Sequence, residues 1–155
     1  MKILDRMALG SIDLSMVAAF ALPLWITWGR SFFDAGGWLL LIMSVTVLPV
    51  MIALLLACAS RIKRARAKGI EDTDMLKVGY WLFVTYVSGV LLGLSLLDFG
   101  DSENRGTSIL TERFDWAASV SASLSVIMGL IFAVSIIGAV VAAFALPRKA
   151  DQPSA

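Results

Sequence analysis

Asp13 is the residue whose type and position come closest to chemistry in this chain, because it is the only acid within the apolar run near the N-terminus. A charge at the centre of a membrane span costs roughly 2.5–3.5 kcal/mol on insertion scales, so such residues are often functional. The sharp reading is a proton or cation site. Ser119, Ser121, Ser123 and Ser125 form a hydroxyl row far along the chain. Asp13, Ser121 and Ser125 together make a candidate intramembrane polar site. The competing reading is positional. A first span at about 14–33 leaves Asp13 at the inner headgroups as a capping or first-turn residue, with Arg30 snorkelling at the far end. We favour the positional reading.

Other reactive groups are sparse. The chain has no His, so it lacks the usual neutral-pH proton shuttle and the commonest metal ligand. Cys58 is the lone cysteine and sits in an apolar run, where a free thiol behaves as a small hydrophobe. Asp98, Asp101, Glu103, Glu112 and Asp115 cluster in one segment. Residues 101–112 partly fit a calcium loop, but Arg105 stands where an oxygen ligand belongs. Asp98-Phe99-Gly100 lacks every other part of a kinase site. Nucleophile elbow, phosphate loop, zinc pattern and dinucleotide fingerprint are all missing. A membrane enzyme using the clustered carboxylates is the least favoured reading, and no cofactor or metal is implied.

The densest charge lies at 61–68, where Arg61, Lys63, Arg64, Arg66 and Lys68 fall within eight residues. Such a run beside a membrane contacts anionic headgroups at about 1 kcal/mol per basic residue, docks a cytoplasmic protein, or only sets topology. Nucleic acid is excluded as a partner, because no aromatic is interleaved and an apolar run abuts the charges. Gly89 and Gly93 form a small-xxx-small pair, and Ser125, Gly129 and Ala133 form a matching ladder. Small residues let helices approach closely in lipid. We expect these two faces to pack on each other within the chain, with dimerisation as the alternative. Pro23 and Pro49 lie inside apolar runs and should kink them.

The elements that must position these residues are helices in lipid. Of 155 residues, 59% are hydrophobic and only 16% charged. That shift from soluble-domain averages makes a water-soluble enzyme improbable. Uncharged stretches cover 14–29, 35–60, 78–97 and 116–147. A span needs about 20 apolar residues, and in hydrocarbon a helix satisfies its own backbone. The expected fold is therefore all-α, a single domain over 1–149. It is a four-helix transmembrane bundle with spans near 8–28, 37–60, 77–97 and 116–146. Residues 150–155 form a frayed cytoplasmic tail.

Thirteen Lys and Arg balance twelve Asp and Glu, so orientation rests on their distribution. With the N-terminus inside, ten basic residues lie inside and Arg30, Arg105 and Arg113 outside. That bias predicts N-in and C-in in a plasma membrane, as in many small bacterial proteins. Trp25, Trp28, Trp38, Trp116, Tyr80 and Trp81 fall at the expected interfaces. Residues 1–9 (MKILDRMAL) suit a short interfacial helix. Gly69 should end the second helix and Asp72, Thr73 or Asp74 should cap the third.

The expected function is a non-catalytic membrane subunit that binds lipids and either another membrane protein or itself. It would act through helix packing and its charged loops. The alternative is an oligomeric channel or small transporter using Asp13 and the serine row.

Overall fold

The computed structural model describes residues 2–33, 38–96, 108–114 and 116–146. Within them every regular element is helical, and there is no strand among the described residues. The acidic segment at 97–107, Asp115 and the tail from 147 onward lie outside them. The clustered carboxylates and the frayed-tail expectation fall there; Glu112 lies in a described helix.

Two apolar runs that look continuous in the sequence are each broken. The first divides at Leu14 into α1 (Ile3–Asp13) and α2 (Ser15–Trp28), which meet at 82°. A 3₁₀ turn, Gly29–Phe33, extends α2. A straight span over 8–28 is therefore replaced by a helix and a cross-piece. Neither a proline nor a side-chain cap marks the break. Tertiary contacts hold it: Ala8 and Ile12 are buried, and α1 packs along α5 (Asp72–Ser95). Pro23 lies inside α2 without ending it; the Thr27 hydroxyl donates to the Pro23 carbonyl at 2.7 Å.

The second run bends by 43° at Thr46, between α3 (Trp38–Val45) and α4 (Val47–Ala67). Here the cause is local. Pro49 has no N–H for the Val45 carbonyl, and its ring crowds that turn. At the far end of α4, Gly69 adopts φ 73°, a left-handed conformation that glycine tolerates. Gly69 N–H donates to the Arg66 carbonyl at 2.9 Å and Ile70 N–H to that of Ala65 at 3.2 Å. This is the Schellman closure expected of a glycine stop.

The start of α5 differs from expectation. Its N-cap is Glu71 rather than Asp72, Thr73 or Asp74. Glu71 has the extended backbone of a cap, and its carbonyl accepts from Asp74 N–H at 3.1 Å. A short helix, α6 (Ile109–Arg113), is capped by Ser108, whose hydroxyl accepts from Thr111 N–H at 3.2 Å. The long α7 (Ala117–Phe144) follows.

The most extensive helix contact is α5 on α7; α2 packs on α4 and α5, and α4 also meets α7. Two buried clusters result. One joins Ile12, Cys58, Ile62, Met75, Leu82 and Ala139 around the α4–α5 junction. The other joins Ala19, Leu22, Met51, Leu55, Leu92 and Phe132 toward the opposite end. Tyr86 packs against both. Meanwhile Val126, Leu130, Val134, Ile137 and Val141 of α7 are all more than half exposed. Helices α5 and α7 are long and apolar enough to cross a membrane, and the count rises to four if each bent pair is one span.

Candidate functional site

Polar contacts gather where α1 crosses α5 and where α5 ends, with the Thr85–Ser135 bond between them. At the first of these, α1 lies across α5 with Gly79 at the crossing. A Cβ on Gly79 would stand 2.5 Å from the Ala8 carbonyl oxygen, closer than real Cβ atoms come. This absence of a side chain lets the two backbones touch. It also places three polar contacts around the crossing. The Arg66 guanidinium donates to Asp13 Oδ1 at 2.6 Å, tying α4 to the end of α1. The Tyr80 hydroxyl donates to Asp5 at 2.5 Å. The Tyr86 hydroxyl donates to the Ser11 carbonyl at 3.1 Å.

These contacts define what Asp13 does. Its carboxylate is 62% exposed and Arg66 is 38% exposed, so the pair is an exposed ion pair at the elbow. Asp13 is the last residue of α1, and α2 starts from Leu14 without a side-chain cap, so Asp13 is neither a cap nor a first-turn residue of α2. Asp5 is also engaged: the Tyr80 hydroxyl and then the Lys2 amide hold its carboxyl below the usual carboxylate range, because both stabilise the charged form.

Ser121 and Ser125 lie where α5 ends. Both hydroxyls donate to the Ser95 carbonyl, at 2.7 and 2.5 Å. Ser108 and Ser121 share a further bond at 2.7 Å. Ser95 is the last residue of α5, whose final carbonyls have no helical partner. The serines thus close a helix end. The elbow lies beside Tyr86, nine residues or about 14 Å before Ser95 along α5, and Asp13 there bonds Arg66 while the serines bond Ser95. Asp13 is not brought together with Ser121 or Ser125.

The glycine faces are filled by large side chains. Beside Gly93 lies the Trp25 indole of α2, its Nε1 at 2.5 Å from where a Cβ would be. That nitrogen donates to the Val90 carbonyl at 3.2 Å. Gly89 meets Leu22 and Phe132, so it faces both α2 and α7. Gly129 has only Leu92 nearby, Ala133 is exposed, and Gly138 receives Trp81. The expected match of Gly89 and Gly93 with Ser125, Gly129 and Ala133 is therefore replaced largely by aromatic and leucine knobs in glycine notches. Between α5 and α7 Thr85 also donates to Ser135, hydroxyl to hydroxyl at 3.0 Å, beside the Ser121 and Ser125 bonds to Ser95.

The basic run divides by role. Arg61 is half-buried and donates to the Leu146 carbonyl at 3.4 Å beyond the end of α7, where a cation suits the helix dipole. Arg66 is held by Asp13. Lys63, Arg64 and Lys68 are exposed. Sequence reasoning missed the roles of Tyr80, Tyr86 and Trp25. Their presence inside apolar runs was the available signal, since a buried phenol or indole N–H finds a partner. Among the described residues no cluster of Asp, Glu and Cys could hold a metal ion.

Compared with protein-family models, curated proteins and solved structures, the chain matches none.

Proposed function

We propose that this chain is a four-helix transmembrane bundle acting as a non-catalytic membrane subunit. Its partners are lipids and either another membrane protein or a second copy. In this reading α2, the bent α3–α4 pair, α5 and α7 span the layer, and α1 lies in its surface. Both termini face the cytoplasm of a bacterial cell, following the ten-to-three distribution of Lys and Arg. Lys63, Arg64 and Lys68 contact anionic headgroups.

One observation carries the proposal: apolar surface faces outward while polar side chains inside are engaged by the fold itself. Leu130, Val134, Ile137 and Val141 are each at least 60% exposed. A continuous apolar face of that kind is stable in lipid or against a partner, not in water. Thr85, Ser88, Ser95, Ser121, Ser125 and Ser135 all hydrogen-bond within the chain. Engaged hydroxyls and an ion-paired Asp13 favour a packing protein over a channel or an enzyme.

The test is purification of the full chain in a mild detergent after a flotation assay with vesicles. The chain should float, and it should then elute with a stoichiometric membrane protein or as a homo-oligomer. A strictly monomeric particle without a co-purifying protein would overturn the subunit reading. A chain that stays soluble without detergent after ultracentrifugation would overturn the membrane reading.

A further inference from the structure

From the elbow between α1 and α2, we infer that this chain holds one anionic phospholipid, its phosphate on Arg6 and one acyl chain in the groove beneath α1. The inference rests on the membrane reading above. It concerns a site distinct from the basic run of α4.

The groove is built by the 82° turn at Leu14. Because α1 leaves the line of α2 and crosses α5, the three helices flank an open groove. It consists of two adjoining hollows of about 360 and 510 Å³ that share Leu14, Tyr86 and Val90. The lining side chains are almost wholly apolar, and the one phenol among them, Tyr86, donates its hydroxyl to Ser11. From Phe83 to Leu91 the groove follows α5 for about 12 Å, toward the interior of the bilayer. A hydrocarbon chain is the occupant that leaves no polar group unpaired there.

Charge selects the headgroup. Helix α1 carries two acids, and each is already engaged: Asp13 by Arg66, and Asp5 by Tyr80 and the Lys2 amide. Arg6 is exposed and its guanidinium has no partner among the described residues. It stands one helical turn from Gly10, which lines the groove, so the two share a face. A guanidinium binds a phosphate through two parallel N–H donors. The outward edge of α1 also carries Ile3, Leu4 and Met7, exposed by 76, 58 and 48%. This is the surface of a helix seated at the headgroup boundary.

Gly10 permits a clean test, because a Cβ built there meets nothing within 4 Å. Gly10→Leu directs a side chain from that open position into the hollow. The full chain is reconstituted in phosphatidylcholine vesicles containing brominated phosphatidylglycerol or brominated phosphatidylcholine. Quenching of tryptophan fluorescence reports the lipid, since Trp25 lines the groove. The native chain should prefer the brominated anionic lipid by about fivefold, the factor one basic residue supplies at a membrane surface. Arg6→Gln and Gly10→Leu should each reduce that preference to near parity. The double variant Lys63→Gln, Arg64→Gln should retain it. Equal quenching by both lipids in the native chain would overturn the inference. So would a preference that survives Gly10→Leu and disappears in the α4 variant. Flotation of the same samples separates this result from the membrane reading: a chain that floats but shows no preference loses only the lipid site.

Discussion

At the scale of single residues, two glycines on crossing helices behave oppositely. Gly79→Ala places a Cβ against the Ala8 carbonyl, which is backbone and cannot swing away. Overpacking of this kind costs about 1–3 kcal/mol. Gly10→Ala adds a methyl to open space in a helix and should be neutral or stabilising by up to about 1 kcal/mol. Thermal unfolding in one detergent compares the pair directly. A Gly79→Ala chain as stable as the native one would mean that α1 does not cross α5 there. Asp13→Asn should cost no more than about 1 kcal/mol, because both partners of its ion pair are substantially exposed.

Asp5 makes the residue scale sensitive to pH. Its folded-state carboxyl titrates below the unfolded value, so its contribution is full above the ordinary carboxylate range and is lost as pH falls through the lowered value. The docking of α1 on α5 should therefore weaken under acid. Amide exchange of α1 in detergent, taken relative to the intrinsic rate at each pH, should rise in the native chain down through that range. In Asp5→Asn it should be raised already at neutral pH and should change less with acid. An α1 protected equally at all pH values in both chains would remove Asp5 from the docking.

Among the elements, the end of α5 and the bend in α3–α4 carry the tests. Ser121 and Ser125 donate to the same Ser95 carbonyl. Removing one leaves that acceptor satisfied, whereas removing both strands it. Single alanine variants should each cost about 0.6 kcal/mol, the typical value for a hydrogen bond between membrane helices. The double variant should exceed their sum, because a buried carbonyl without a donor incurs its full desolvation cost. Strict additivity would separate the two hydroxyls from a common acceptor. Pro49→Ala restores a donor for the Val45 carbonyl and should reduce the 43° bend. Spin-label distances between the ends of α3 and α4 should lengthen; unchanged distances would assign the bend to packing on α2.

The whole molecule is defined by which solvent its outer face meets. Cysteines at Lys63 and Glu103 should label from opposite sides of sealed vesicles if α5 crosses the layer once between them. Labelling from one side would break the proposed topology while leaving the helices intact. The Ser95 cluster then falls near one surface and the start of α5 near the other, and between them tryptophan and leucine knobs fill glycine notches beside the Thr85–Ser135 bond. A bundle held this way depends on close packing, as expected where lipid removes the hydrophobic drive between helices.

Several features were legible in the residues alone because they depend on local chemistry. Long uncharged runs dictate helices, since no other backbone form satisfies itself in hydrocarbon. Gly69 announces a helix stop through its tolerance of positive φ, and Pro49 a bend through its missing donor. The amphipathic start of the chain reads as a helix from its periodicity, and α1 forms there. Only the tertiary structure decided where the first run breaks, because no residue at Leu14 demands an 82° turn. The turn follows from contacts distant in sequence: Ala8 against Gly79, Tyr80 on Asp5, Arg66 on Asp13. Likewise, periodicity puts Gly89 and Gly93 on one helix face but cannot say which helix fills it. Trp25 fits that face because its ring occupies the notch while its N–H reaches the Val90 carbonyl, a match of shape and hydrogen bonding that exists only once α2 and α5 are side by side.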